Sequence, residues 1–334
     1  MIKRSNSKEV SSAFIIPYYA DGNEQQEQGR KKLLIADTIE GLFSQTDEDW
    51  CAIIVVDMSP NEETHNYLIH LKQKYYPKID VIFLEQNVGA GVSRNLGVLK
   101  ALERGNSIIL FNDSDDISHP NRLEVVKKIF LENPKIDVVY STFNVIDENN
   151  RLTPTEKISS PILEILESHV QNPLEGNNIW IKMGTETGIT NITSSTAVRT
   201  KFAYLCPFPN EKASEDFHSW IRMSALGANF KYTSLIPTKY RIPSFMKYQA
   251  SRTRIGLGNF NQIKARVDID GFSKATEIAL ARNIIKPEET PMLKAKFYKR
   301  LAKSMKREKE NELANDLLNK AAQLEYESFI YFNK

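Results

Sequence analysis

Short runs of apolar residues recur through the first 140 positions, and polar punctuation follows most of them. Ala13-Phe-Ile-Ile16 ends at Pro17, Cys51-Ala-Ile-Ile-Val-Val56 at Asp57, Val81-Ile-Phe-Leu84 before a turn, and Ile108-Ile-Leu-Phe111 before Asn112-Asp113. A fifth run is Asp137-Val-Val-Tyr140. Runs this short and continuous read as strands buried on both faces. Between them apolar residues fall at helical spacing, over 33–43, 62–75, 92–104 and 120–131. Strand–helix alternation predicts an α/β fold, a mostly parallel doubly wound sheet flanked by helices. Ligands of such sheets sit beyond the carboxyl ends of the strands. Asp57, Asn87 and Asp113 follow three of these strands and should converge on one crevice.

The second half is less regular. Residues 160–170 suggest a helix, and Gly184 to Thr196 a Gly/Ser/Thr-rich loop with short strands. Glu215 to Ala225 reads as a helix and Phe230 to Tyr240 as a pair of strands. From about 272 the pattern is strongly helical. Leu293, Phe297, Leu301 and Met305 lie four apart, as do Leu313, Leu317, Ala321 and Leu324 nearly so, which predicts a helical pair. The expected organisation is a flexible N-terminus over 1–11, an α/β domain over 12–245 and a mainly helical region over 246–334.

Composition narrows the field of functions. The 334 residues carry 44 basic against 42 acidic groups, a net charge of +2, which offers no general case for nucleic acid. Two cysteines, Cys51 and Cys206, suit a reducing compartment, with Cys51 read as a core residue. No apolar run is long enough for a membrane span, and the polar start lacks a signal-peptide pattern, so the expected location is cytoplasmic. Nine Lys or Arg fall between 286 and 309, a basic face that either remains solvated or makes peripheral membrane contact. The five histidines show no paired metal spacing, and His218 reads as a surface helix position.

The strongest chemical signal is Asn112-Asp-Ser-Asp-Asp116. A buried strand delivers Asp113, Ser114, Asp115 and Asp116 into one turn. Carboxylates this close repel unless a cation lies among them, and Mg²⁺ or Mn²⁺ prefers oxygen ligands shared with diphosphate. The plain alternative is a solvated turn, with Asp116 or Ser118 capping the next helix.

Several pieces in order make the chain resemble the family 2 glycosyltransferases of the GT-A fold, over about residues 12–245. They are Ile15-Ile-Pro17-Tyr-Tyr19, Ser44-Gln-Thr46 with Ile53-Ile-Val-Val-Asp57, Asn87-Val-Gly89 with Arg94-Asn95, Asp113-Ser-Asp115-Asp116, and Glu215-Asp216. The resemblance implies an inverting, metal-dependent transfer of one sugar from a nucleoside-diphosphate sugar to an acceptor, with the nucleotide-sugar half of the domain at about 12–120 and the acceptor half at about 135–245. Pro17, Tyr19, Asp57, Asn87, Gly89, Arg94, Asp113 and Ser114 would then line the donor site, with Tyr19 stacking on the base. Asp115, with Asp113, would bind Mn²⁺ or Mg²⁺. Asp216, or alternatively Glu215, would be the base, although acids are also common in the first turn of a helix for electrostatic reasons.

Two departures from the family pattern bear on the donor. Met58 stands where a second carboxylate usually follows Asp57, so uridine is the default base with guanosine and thymidine open. Ala20 replaces an Asn, and the polar stretch 21–32 follows it as a candidate lid. Basic residues after the core, Tyr240-Arg241, Arg252 and Arg254, are candidates for the diphosphate. Saccharide, lipid, peptide and small natural product all remain as acceptors. The rivals are a nucleotidyltransferase of related fold and a non-catalytic sugar-nucleotide-binding scaffold.

Overall fold

The computed structural model describes residues 11–19, 33–59, 62–243 and 255–332. The seven strands are β1 (Ser12–Tyr18), β2 (Trp50–Val56), β3 (Ile79–Phe83), β4 (Ile108–Phe111), β5 (Val138–Ile146), β6 (Thr196–Arg199) and β7 (Phe230–Arg241). They form one sheet in the order β3-β2-β1-β4-β6-β5-β7. Only β6 runs against its neighbours β4 and β5. The sheet is therefore mostly parallel, as the alternation of elements implies.

Helices cover both faces. They are α1 (Leu34–Phe43), α2 (Glu62–Tyr75), α3 (Ala90–Glu103), α4 (Arg122–Glu132), α5 (Ser160–Gln171), α6 (Thr200–Leu205) and α7 (Glu215–Ala225). Alternate residues of β1 serve the two faces, as strand geometry requires. Ala13 and Ile15 pack with Val98, Trp220 and Phe272, whereas Phe14 and Ile16 pack with Ile39, Leu42 and Leu123. Every residue of β1 is buried.

Four sequence expectations change. Pro17 lies inside β1 rather than ending it. The carbonyl of Ile15 accepts from Asn112 N and that of Tyr18 from Asp57 N, so odd positions face β4 and even ones β2. Pairing with β4 stops at Ile15, so the missing N–H of Pro17 costs no ladder bond. Residues 230–241 form one long strand pairing in parallel with β5, with a register shift between Ser141 and Phe143. A bulge let one strand carry two alternation phases, which looked like two strands.

Among the described residues the C-terminal region adds a helix, α8 (Leu257–Ala281), to the expected pair, α9 (Thr290–Arg307) and α10 (Asn311–Phe332). Helix α8 starts well before 272, a start hidden in sequence because its core contacts use small residues such as Ala265, Ala275 and Ala279 that give little apolar signal. Finally, Cys51 is only half-buried, with its Sγ against Asn106 Oδ1 at 3.7 Å. Cys206 is fully buried, both thiols are free, and burial pushes Cys206 up to about 11. Among the described residues no helix is long and apolar enough to cross a membrane.

Candidate active site

The turn after β4 carries the acids, and its own Asn112 together with side chains from α1, α4, the 193–195 segment and β7 holds it. Thr38 of α1 donates its hydroxyl to the carbonyls of Ser114 (2.9 Å) and Asp116 (2.8 Å). Asn112 Nδ2 donates to the carbonyls of Asp113 and Asp116, and its Oδ1 accepts from Ser118 and Arg122. Arg122 is wholly buried and also donates to the carbonyls of Phe111 and Thr196. That burial pulls its guanidinium down to about 9. Ser194 Oγ accepts from Asp113 N at 2.8 Å, and Arg241 Nε donates to Asp115 O at 2.6 Å. With its backbone bound this closely, the turn presents its side chains in fixed directions.

The three carboxylates are not equivalent. Asp116 is wholly buried and its Oδ1 accepts from Arg241 N at 2.7 Å. Burial, with Asp115 and Asp113 adding negative charge nearby, raises its pKa well above the ordinary value. Asp116 is thus a structural acid within the turn. Asp113 is partly exposed, and its Oδ1 accepts from Arg94 Nη2 at 2.7 Å. Asp113 and Asp115 remain as hard-oxygen donors at the strand end. Among the described residues no cluster of three or more His, Cys, Asp or Glu could enclose an ion alone. An ion here would need oxygens from a ligand, which is how Mg²⁺ and Mn²⁺ commonly bind with nucleotide phosphates. The residues present fit such an ion.

Arg94, on the first turns of α3, is buried between two acids. Its Nη1 donates to Glu215 Oε1 at 3.0 Å while Nη2 serves Asp113, and its guanidinium lies over the Phe208 ring. The two carboxylates raise its pKa although burial opposes them. Asn95, next in sequence, exchanges two hydrogen bonds with the backbone of Phe208, at 2.8 and 2.9 Å. Gly91 sits below the same loop, where a Cβ would come within 2.7 Å of Pro209 O. The Arg-Asn pair therefore joins α3 to the segment leading into α7.

Asp57 closes β2 and is buried. Its carboxylate accepts from Val88 N (2.6 Å) and Gly89 N (2.8 Å), and Asn87 Nδ2 reaches its carbonyl at 3.4 Å. Gly89, at φ 85°, takes a conformation that an L side chain resists. Asp57, Asn87 and Gly89 thus form one braced turn at the strand ends. Pro17 and the exposed Tyr19 lie at the end of β1. Met58 is also exposed, at φ 46°.

At the start of α7, Asp216 Oδ1 accepts from Phe217 N at 2.7 Å. Burial and the adjacent Glu215 push the Asp216 carboxyl up to about 7, against opposition from that bond, Arg94 and Lys264. Tyr240 joins the same region. Its phenol is raised by burial and by the fields of Asp116, Asp113, Asp115 and Asp216. The structure therefore gathers 113, 115, 116, 215, 216 and 94 around one sheet edge.

Other expectations fare differently. Arg241 is buried against backbone carbonyls and Asp37, away from a role as a loop arginine open to diphosphate. His218 is buried rather than exposed, with Nε2 at 2.7 Å from Asp270, and burial pulls it down to about 4. Arg252, Arg254 and the stretch 21–32 lie outside the described residues. Thr38, Arg122 and Ser194 escaped the sequence reading, because single polar residues in a helix or loop carry no local signature of a tertiary bond.

The family model described as Glycosyl transferase family 2 matches residues 15–199. The uncharacterized glycosyltransferase MJ1057 of Methanocaldococcus jannaschii is 29% identical over 216 residues, covering 64% of this chain and 68% of that protein. The putative teichuronic acid biosynthesis glycosyltransferase TuaG of Bacillus subtilis is 35% identical over 99 residues, covering 29% and 37%. Among solved structures, S. aureus TarS 1-349 in complex with UDP-GlcNAc superposes with TM-score 0.53 at 16% identity, covering 94% of this chain and 92% of that one. GalNAc-T7 with UDP, GalNAc and Mn²⁺ superposes with TM-score 0.53 at 13% identity, covering 85% and 51%. At these identities the two structures speak to the fold, which is GT-A.

Proposed function

Because the chain belongs to glycosyl transferase family 2, we propose that this glycosyltransferase moves one sugar from a UDP-sugar to an acceptor hydroxyl, with inversion and with a divalent ion. The observation that carries the reading is the convergence on one edge of Asp113 and Asp115, after β4, with Asp216 at the start of α7. The UDP complexes of TarS and GalNAc-T7 support the donor class. The GalNAc-T7 complex with Mn²⁺ supports the ion. The catalytic part spans 12–245, and the helices after it form a C-terminal region.

Asp115, with Asp113, would hold Mn²⁺ or Mg²⁺, which offsets charge on a departing diphosphate. Pro17, Tyr19 and the braced turn of Asp57, Asn87 and Gly89 bound the nucleoside side, and Tyr19 offers a flat face to the base. Arg94 and Ser114 would complete the donor site, Arg94 through a base oxygen or a phosphate. Arg94 also fixes Glu215 beside the base. Asp216 takes the acceptor proton as the new bond forms. A carboxyl near 7 is well matched to that task, since it is largely deprotonated in mildly alkaline conditions yet basic enough to accept a proton.

A thermal-shift screen of UDP, GDP and TDP, with and without Mn²⁺, tests the donor reading. A ligand that binds only the folded state raises the melting temperature. UDP should raise it more with Mn²⁺ than without. Equal shifts in both conditions would remove the ion from the proposal. Release of nucleoside diphosphate from a donor supports sugar transfer, while release of pyrophosphate would support a nucleotidyltransferase.

A further inference from the structure

The residue entering α7 is held in an unusual state by a buried acid from the C-terminal region. Ser214 has φ 59° and ψ 19°, the left-handed region that non-glycine residues rarely occupy. As the N-cap of α7 it would ordinarily turn its hydroxyl back to the N–H of Asp216 or Phe217. No such side-chain cap forms. The Ser214 hydroxyl instead donates outward to Asp268 Oδ1 at 2.5 Å. Asp268 is wholly buried on α8, and its Oδ2 accepts from Lys264 at 2.7 Å, with Arg300 of α9 at 3.8 Å. The vacated capping duty falls to Asp216, whose Oδ1 takes the N–H of Phe217.

Two further contacts fix the depth at which α8 meets α7. His218 Nε2 lies 2.7 Å from Asp270. Gly271 lies so close that a Cβ there would come within 3.0 Å of the His218 ring. Asp268 is thus carried by a rigid packing of α8 on α7, not by a loose side chain.

We propose that Asp268 is a positioning residue for the catalytic carboxylate: by holding Ser214 in the left-handed conformation it keeps Asp216 as the cap of its own helix and so fixes the rotamer that faces the acceptor. This rests on the reading of Asp216 as the base. Without the Ser214–Asp268 bond, residue 214 leaves the left-handed region, which serine and alanine both resist, and the first turn of α7 that carries Asp216 shifts with it; a serine hydroxyl there also competes for the N–H of Phe217. Asp216 then loses its tether and samples other rotamers. The donor site, built from 17–19, 57, 87–94 and 113–115, meets this turn through the Arg94–Glu215 bond, which involves neither Ser214 nor Asp268.

Glycine at 214 separates this role from a merely structural one. It accepts positive φ without strain and has no hydroxyl to compete for the cap. The probe reaction is hydrolysis of UDP-GlcNAc with Mn²⁺, water standing in for the acceptor, with UDP affinity measured by calorimetry. Asp268→Ala and Ser214→Ala should each lower kcat at least tenfold, with UDP Kd within twofold of the wild type. Ser214→Gly, and Ser214→Gly combined with Asp268→Ala, should stay within threefold in kcat. Unchanged turnover in Ser214→Ala, or no rescue by glycine in the double variant, overturns the proposal. So does a crystal structure of Asp268→Ala with Ser214 still at positive φ and the Asp216–Phe217 bond intact, a readout that needs no turnover. Asp216→Asn separates the two levels. Wild-type hydrolysis in that variant removes the base reading and the proposal with it. Lost hydrolysis there beside normal turnover in Ser214→Ala removes the proposal alone.

Discussion

Arg94 and Glu215 are separated by 121 positions in sequence, yet their side chains meet at 3.0 Å. The same guanidinium reaches Asp113 at 2.7 Å. One buried cation thus spans the acid at the end of β4 and the acid that opens α7. Removing it would leave both carboxylates without their shared partner. Arg94→Met should destabilise the fold by about 3 kcal/mol, the scale for breaking a buried ion pair from one side. Arg94 also draws the Asp216 carboxyl downward. The variant should therefore need a higher pH for half-maximal turnover, which a pH–rate profile beside a denaturant titration would check.

The raised Asp216 carboxyl sets the pH dependence of the wild type. A base must be deprotonated to act, so kcat should climb with pH through about 7 and level off above it. Asp216→Asn should lower kcat by at least about a hundredfold, in the range for loss of a general base. UDP affinity measured by calorimetry should not change.

The same shift predicts a stability effect of opposite sense. A folded-state value near 7, against 3.8 for an ordinary aspartate, means that the native state keeps a proton that the unfolded chain has released. That contribution is full below 3.8 and is lost as pH rises through 7. At pH 8 the wild type carries an ionised, confined carboxylate that Asn does not. Asp216→Asn should then melt higher than the wild type at pH 8, and the gap should close by pH 4. A higher melting temperature with lower turnover would mark the site as one where chemistry is favoured over stability.

Asp115→Ala should abolish the part of UDP binding that depends on Mn²⁺ while leaving the fold intact. Asp116→Ala should behave differently. Asp116 is buried and holds Arg241 N, so its loss should lower the melting temperature by several degrees or more. Calorimetry and thermal unfolding on the two neighbours would separate ligand from scaffold within one motif.

Asp57 supports the nucleoside side through the main chain. Its carboxylate holds the N–H groups of Val88 and Gly89. Asp57→Ala should leave those donors unpaired and loosen the turn, lowering UDP affinity at least tenfold. Asp57→Asn should be milder, because its amide oxygen can keep one of the two bonds.

The parallel sheet and the location of the acids were legible because strand burial and polar strand ends are local patterns. Asp113 and Asp115 follow a strand, and Asp216 opens a helix, as their local sequence predicts. The roles of Arg94 and Arg241 were not legible. In sequence Arg94 is marked as a donor-site residue and Arg241 as a diphosphate candidate, and only the closure of α3 on α7 and of β7 on the β4 turn shows what each guanidinium holds. His218 was misplaced for a related reason. A polar residue in a first helical turn reads as exposed until a later helix, here α8, lays Asp270 and Gly271 against it. The early start of α8 stayed hidden because alanine and glycine pack well yet contribute little to apolar periodicity.

The junction of Asn95 and Gly91 with the Phe208–Pro209 segment has a consequence for engineering. Amide pairing on one side and backbone contact on the other leave no room for independent sliding of the two halves. A chimera that borrows its nucleotide-recognising portion from a relative must import residues 207–210 together with 89–95. Swapping at a boundary near 120 alone would set a foreign helix surface beneath a native loop, and such hybrids should express poorly whatever donor they were meant to accept.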